Sequence, residues 1–143
     1  MMGGVTDDLV TWLRNALDDD ERMARRLQDN RPGPWSIDVD YPGEPAGGTA
    51  VLDVHRELVA VARGGYVGDY MSERSPDLVL RDIAAKRRII ELCEPPLIDV
   101  SSPGECPPRY IEGRGASWGE PVLRLLALPY ADRPGYREEW RPS

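Results

Sequence analysis

The chain is poor in the side chains that most often carry out chemistry, because it has two cysteines and a single histidine. Cys93 and Cys106 lack the CxxC spacing of a redox motif, and two thiols are too few for a disulfide framework or a four-ligand zinc site. We therefore expect two reduced structural cysteines, no metal site and no cofactor. A disulfide between the two cysteines is the alternative that the sequence leaves open.

Net positive charge and long apolar runs are also missing. The formal net charge is −7, whereas nucleic-acid-binding proteins usually present a basic surface, so direct binding to DNA or RNA is disfavoured. No stretch approaches the roughly 20 apolar residues that span a bilayer, and the first residues lack the basic start and apolar segment of a signal peptide. We therefore expect a cytoplasmic protein with no membrane attachment.

The chain has almost no lysine and no phenylalanine. Lys86 is the only lysine, beside seventeen arginines, and there is no phenylalanine, a bias that a GC-rich coding sequence produces. This bias describes a source genome and not a mechanism. The 143 residues are enough to bury a core without disulfides, so we expect a single domain over residues 1–143.

The strongest helical pattern lies at residues 75–93, SPDLVLRDIAAKRRIIELC. Ser75 can cap the first turn, and Pro76 suits the first helical position, where its missing N–H costs nothing. Apolar residues recur at helical spacing through the segment, and the two prolines at 95 and 96 end it. The pattern predicts a central helix with one face on the core.

The chain before this helix predicts one more long helix and a small sheet. Apolar residues recur at three- and four-residue spacings over residues 6–29, and NRPGPW at residues 30–35 ends that helix. Alternation of apolar and polar residues then predicts a β-meander over residues 35–62. The expected fold is α+β: two packed helices, a three-stranded antiparallel meander and a short C-terminal helix.

An acidic run, Asp18 to Glu21, lies in the first predicted helix and resembles a cation site. Adjacent carboxylates fan around a helix axis instead of converging on one ion, and the run lacks the glycine of a calcium loop. We expect solvated ion pairs at four-residue spacing, Asp18 with Arg22 and Glu21 with Arg25.

Asp20 and Lys86 each interrupt the apolar stripe of one long helix. If the two helices are antiparallel, the two side chains can face each other as a partly buried pair. Desolvation offsets much of the attraction in such a pair, so it would fix the register of the helices more than it would stabilise them. We predict a structural ion pair between Asp20 and Lys86, in which exchanging both charges together restores the stability lost in either single variant.

His55, the single histidine, lies between Asp53 and Glu57 at the predicted hairpin turn. Such a turn is exposed, and no serine or cysteine nucleophile is placed nearby. We interpret His55 as a turn residue and predict no catalytic residue. A metal-dependent or other small hydrolase that uses Asp53, His55, Glu57 and the carboxylates of residues 18–21 is an alternative.

Two segments have no sustained periodicity. Residues 63–74 contain GGYVG, which lacks the lysine and the helix-opening context of a phosphate-binding loop, and they are predicted to be a flexible connector. Residues 95–119 hold five prolines and four glycines. Structureless loops longer than about 15 residues are usually functional or disordered, so we predict a Pro/Gly-rich loop that is mobile or ordered by a partner.

Residues 121–141 are predicted to form a short helix, ending at Leu128, and an aromatic tail. The tail interleaves aromatic residues with arginines, a mixture that protein interfaces favour. The same residues suit stacking and cation–π contacts that hold the tail on its own domain, and we favour this interpretation. The candidate binding residues are Tyr130, Arg133, Tyr136, Arg137 and Trp140.

Four segments together resemble a known family. They are DLVTWLRNALDDDERMAR, PGPW, SPDLVLRDIAAKRRIIEL and the ending LRLLALPYADRPGYREEWRP. They are similar to segments of a family of short proteins of unknown function from actinobacteria and their phages, and they cover roughly half of the chain. The resemblance implies an origin on actinobacterial or mobile-element DNA and no established activity.

These observations favour a small acidic interaction or regulatory protein of a phage or its host, which acts by binding another macromolecule, expected to be a protein. The lack of a catalytic constellation argues against an enzyme. The hydrolase described above and a structural or self-assembling component are the alternatives, and the sequence leaves the oligomeric state open.

Overall fold

The computed structural model describes residues 5–39, 48–94, 97–113, 115 and 118–143. The chain divides into two compact units. The first unit joins the chain up to Asp18 with Ala85–Ser143, and the second unit is Asp19–Ala84. Our expectation of a single domain over residues 1–143 stays a prediction, and each unit is described by itself.

The architecture is α+β, as the sequence predicts, and it has more elements than expected. In chain order these are α1 (Val5–Asn30), β1 (Ser36–Asp38), β2 (Gly48–Leu52), β3 (Leu58–Arg63), α2 (Gly65–Ser72), α3 (Pro76–Leu92), β4 (Leu97–Asp99), β5 (Tyr110–Glu112) and α4 (Gly119–Ala127), followed by the 3₁₀ turns Leu128–Tyr130 and Glu138–Trp140. Helices α1 and α3 pack against each other, which confirms the predicted helix pair. No helix within the described ranges has both the length and the apolar run needed to cross a bilayer.

The core of the first unit combines side chains from distant parts of the sequence. Its buried residues include Leu9, Leu13 and Leu17 of α1, Ile90 of α3, Leu123 and Ala127 of α4, and Trp140. The two long helices run antiparallel here, because Arg14 pairs with Glu94 at 2.8 Å while Asp18, one turn later in α1, pairs with Arg87, two turns before Glu94.

The ion pairs of the acidic run differ in part from those expected. Glu21 pairs with Arg25 at 2.8 Å, as predicted. The predicted pairing of Asp18 with Arg22 is wrong, because Arg22 binds Asp19 and Asp18 has its partner in α3. An arginine reaches carboxylates both three and four residues away on a helix, so spacing alone does not decide the partner.

The segment predicted to be a Pro/Gly-rich loop over residues 95–119 contains a second, two-stranded sheet. Strands β4 and β5 are antiparallel, with Ile98 opposite Ile111, and the Val100 N–H extends the pairing by donating to the Arg109 carbonyl at 2.9 Å. Each strand has only three residues, which is too short for alternation to show in the sequence.

The second unit is built on a three-stranded antiparallel sheet in the order β1-β2-β3, which confirms the predicted meander. Helix α2 packs on this sheet through Gly68, where an added Cβ would lie 2.9 Å from the Thr49 methyl carbon. The prediction of a flexible connector over residues 63–74 is therefore wrong. The contact between helix and sheet is tertiary, and such contacts override weak local helix propensity.

Candidate functional site

The C-terminal tail packs against α1 through three aromatic rings. The Trp12 ring centroid lies 5.4 Å from that of Tyr136 and 5.5 Å from that of Trp140. The Trp12 indole N–H also donates to the Pro134 carbonyl at 3.0 Å. Tilted and edge-to-face ring contacts of this kind stabilise beyond the area they bury, so this cluster attaches the tail to the first unit.

Arginines of the tail lie over its aromatic rings. The Arg133 guanidinium carbon is 4.7 Å from the Tyr130 ring centroid, and that of Arg137 is 5.1 Å from the Trp140 ring centroid. Both cation–π contacts lie within the tail itself. The Trp12 contacts attach the tail to the first unit, so the predicted packing of the tail on its own domain is confirmed.

The five candidate binding residues differ in accessibility. Tyr130 and Trp140 are buried, Arg133 and Tyr136 are half-buried, and Arg137 is exposed. The Arg137 guanidinium also pairs with Asp8 at 3.0 Å. Binding of a partner through these residues stays a prediction, and Arg137 is the member of the set that an incoming molecule reaches most easily.

Lys86 contacts the tail. Its Nζ lies 3.2 Å from the Tyr130 hydroxyl and 5.4 Å from the centroid of the Tyr130 ring. Lys86 is half-buried, and the contact gives its ammonium group a polar partner, which helps to explain why a lysine is tolerated within the apolar stripe of α3. The predicted ion pair of Lys86 with Asp20 stays a prediction.

The turn between β2 and β3 is organised by Asp53. This side chain is buried, and its Oδ1 accepts the backbone N–H groups of His55 at 2.8 Å and Glu57 at 2.9 Å. Its Oδ2 is buried with no hydrogen-bond partner among the described residues. His55 is exposed, as expected of a turn residue. The arrangement is a side-chain-to-backbone turn.

We searched the described residues for metal-ligand clusters and examined the two thiols. Within the described ranges, no group of three or more His, Cys, Asp or Glu side chains is arranged to hold a metal ion. Cys93 and Cys106 are both free thiols, as expected. Burial, with the nearby charge of Glu94, raises the pKa of the Cys93 thiol, and a protonated buried thiol is a poor nucleophile.

The β4–β5 hairpin exposes apolar side chains. Ile98 and Ile111 face each other across the two strands, so they share one face, and Val100 lies on that face because it is two residues beyond Ile98. The three side chains are 40%, 51% and 38% exposed, respectively. We call them the hairpin face. The sequence does not predict this face, because its only signal is an apolar pair in each short strand.

A comparison with known families identifies a match over most of the chain. A family model described as "Family of unknown function (DUF6221)" matches residues 6–142. The chain belongs to the DUF6221 family. This agrees with the resemblance to a family of unknown function, and the match extends beyond the four segments that carried it to most of the chain. No curated protein sequence and no solved structure matches this DUF6221 chain.

The surface of this DUF6221 chain is rich in ion pairs. Most arginines in the described ranges pair with a carboxylate; examples are Arg14 with Glu94, Arg31 with Glu57, Arg56 with Asp38, Arg109 with Glu105 and Arg124 with Glu120. Arg26, Arg63 and Arg74 have no carboxylate partner within that part of the chain. All three belong to the second unit, which leaves exposed guanidinium groups on an acidic protein.

Proposed function

We propose that this protein is a small acidic interaction protein, which acts in the cytoplasm by binding another protein, and that it originates from an actinobacterium or one of its phages. The observation that carries the proposal is the hairpin face, Ile98, Val100 and Ile111, whose side chains are exposed to about half or slightly less. Covering these apolar side chains with a partner would stabilise the complex by about 25 cal/mol per Å² of apolar surface buried. A contiguous exposed apolar patch is typical of an interaction site.

The backbone of the hairpin supports the same proposal. Within the described residues, β4 pairs only with β5, so each strand has an outer edge with backbone N–H and C=O groups. An isolated two-stranded hairpin is at best marginally stable in water. A strand from a partner would add main-chain hydrogen bonds at one edge and could cover the hairpin face at the same time.

In the tail, Arg137 is the residue that we expect to contact a partner, because it is the exposed member of the candidate residues. Tyr130 and Trp140 are buried, so removing the chain after Leu128 would take both from the core of the first unit. Loss of binding on truncation would then reflect unfolding. Substitutions on the exposed surface, such as Arg137→Glu, test the tail without this ambiguity.

The test is affinity capture from an actinobacterial lysate treated with nuclease, with captured proteins identified by mass spectrometry. Three baits are compared: the unchanged protein, the double variant Ile98→Ser/Ile111→Ser and the control Leu125→Ser, whose apolar side chain is also exposed in the first unit. We expect one dominant protein that the unchanged bait and the control retain and the hairpin variant loses. Capture by the hairpin variant would exclude the hairpin face, and no capture by folded, unchanged bait would count against the proposal.

A second copy of the chain would suit an outer edge of the hairpin as well as a partner strand does, so self-assembly is a distinct outcome. Light scattering distinguishes binding to a partner from self-assembly, because the monomer has a mass of 16.0 kDa. A monomer that captures a partner supports the interaction protein, whereas a stable multiple of that mass, lost in Ile98→Ser/Ile111→Ser, supports self-assembly. The hydrolase alternative gains no support from Asp53, whose carboxylate organises a turn.

A further inference from the structure

A small apolar groove lies on the second unit, between the C-terminal half of α1 and the start of α3. Its volume is about 180 Å³, and Met23, Ala24, Leu27, Pro76 and Val79 line it. For comparison, an engineered cavity of about 150 Å³ binds benzene. The groove is therefore large enough for one aliphatic side chain of a partner.

The groove is open and adaptable at one side. Ala24 and Pro76 are buried beneath it, while Met23 is 60% exposed at its edge. An unbranched thioether side chain adjusts its shape to what it contacts. Because Met23 is exposed and flexible, the groove should accept several related aliphatic side chains and not only one.

Arg74 lies at the rim of this groove. Its guanidinium carbon is 5.2 Å from the centroid of the Tyr70 ring, and the side chain has no carboxylate partner within the described residues. A guanidinium placed over an aromatic face is held in orientation while its N–H groups remain able to bind a carboxylate. Asp20 lines the same rim, and it already takes part in another interaction.

Helix α2 carries two exposed tyrosines, and Arg74 lies over the ring of one of them, Tyr70. Tyr66 and Tyr70 are 93% and 62% exposed and lie four residues apart on α2, so they point to the same side of that helix. Tyrosine and arginine are the residue types that contribute most binding energy in protein interfaces. Tyr70, through its contact with Arg74, therefore places a residue type that binding sites use beside the groove.

We infer that this groove binds a short peptide segment of another protein, with an aliphatic side chain in the groove and a neighbouring carboxylate on Arg74. Charge complementarity selects the occupant, because the Arg74 guanidinium, which has no carboxylate partner within the described residues, favours one negative charge beside an apolar group. The second unit holds thirteen acidic and eight basic residues, so it repels a chain with a phosphate at every nucleotide. This site is separate from the hairpin face and does not depend on it.

The first test is fluorescence anisotropy with dye-labelled octapeptides in a Gly/Ser background. Each peptide carries Leu, Ile, Val or Met beside Asp or Glu, the matched set carries Asn or Gln instead of the acid, and oligothymidylate is the nucleic-acid probe. We expect at least one acidic peptide to bind at concentrations up to about 1 mM, at least tenfold more tightly than its amide counterpart. No acidic peptide bound, equal binding of the amide set, or preference for oligothymidylate would overturn the inference.

The second test identifies the residues. Arg74→Gln is expected to weaken the best acidic peptide at least tenfold, and Met23→Asp to abolish its binding by placing a charge at the groove. Arg26→Gln is the matched control, since it removes another exposed arginine that has no carboxylate partner within the described residues. Unchanged binding by Arg74→Gln, or an equal loss with Arg26→Gln, would overturn the assignment. Ile98→Ser/Ile111→Ser should bind the peptide normally, which separates this inference from the function proposed above.

Discussion

The backbone carbonyl oxygen of Cys93 lies so close to Gly115 that a Cβ on this glycine would be 1.7 Å from it. Gly119 approaches the same oxygen, with a distance of 2.6 Å for an added Cβ. The Gly119 N–H donates to the Gly115 carbonyl at 3.1 Å and closes the turn. The end of α3 therefore packs directly against backbone, and neither position has room for a side chain.

Gly115→Ala is predicted to lower the free energy of unfolding by about 2 kcal/mol or more, because the clash is with backbone and cannot be relieved by a side-chain rotation. Urea unfolding followed by circular dichroism measures the change. Gly65→Ala is the control, since nothing lies within 4 Å of its added Cβ, and we expect a change within about 0.5 kcal/mol. Equal effects of the two substitutions would contradict the close approach.

Asp53→Ala is predicted to cost about 2 kcal/mol of stability, because it leaves the N–H groups of His55 and Glu57 without their acceptor. Asp53→Asn keeps an oxygen in place and should cost clearly less. His55→Ala should change stability by under about 0.5 kcal/mol, since its side chain is exposed. If Asp53→Asn were as damaging as Asp53→Ala, the carboxylate charge would matter and the turn role would not suffice.

Arg124 connects α4 to the tail. Its Nη1 donates to the Glu139 carbonyl at 2.6 Å, while Nη2 binds Glu120 at 2.6 Å. Arg124→Met is predicted to speed hydrogen exchange of the tail amides several-fold, with little effect on α1. The reason is that the tail of the variant can open locally without breaking the contacts that Arg124 makes. Arg88→Met, which removes only an exposed pair with Glu91, is the control. A uniform increase over the whole chain would indicate global destabilisation instead.

Acid should weaken the start of α3. Burial of Asp77 opposes ionisation, but hydrogen bonds from Ser75 and Arg81 and from backbone N–H groups outweigh it and lower the pKa of this carboxyl below the usual value of an aspartate. A carboxyl with a lowered folded-state pKa stabilises the protein fully above its unfolded value and loses that contribution as pH falls through the folded value.

The stability difference between the unchanged protein and Asp77→Asn should therefore be constant from about pH 7 to pH 5 and shrink from about pH 4 to pH 2. Urea unfolding at each pH gives the difference directly. Ser75→Ala, which removes the hydroxyl that donates to Asp77 Oδ1 at 2.5 Å, should shrink it in part. A difference that grows on acidification would have the wrong sign for a lowered pKa.

The long helices and the meander were predictable because their information is local. Apolar residues at helical spacing mark α1 and α3, and Pro76 fits the first position of α3. Helix α2 was not predictable, because the glycine at 68 that weakens helix propensity is the residue that lets the helix approach Thr49. In the β4–β5 hairpin, each three-residue strand finds its partner only across a proline-containing connection.

The candidate sites were less predictable, because they too depend on contacts between residues that are distant in the sequence. Tyrosine and arginine in the tail suit a partner and the tail's own domain equally well, and the position of Trp12 at the other end of the sequence decides in favour of packing. Arg74 looks like any other arginine in the sequence. Its significance depends on having no ion-pair partner among the described residues, and on the groove beside it.

The aromatic cluster also sets an order of events during synthesis. Trp12 and Pro134 are 122 residues apart in sequence, and contacts between such distant residues form late because closing the intervening loop costs entropy. Residues 19–84 form one continuous segment that leaves the ribosome before the tail exists. The first helix must therefore emerge with the Trp12 ring uncovered, and the ring finds its partners only after translation has passed Trp140.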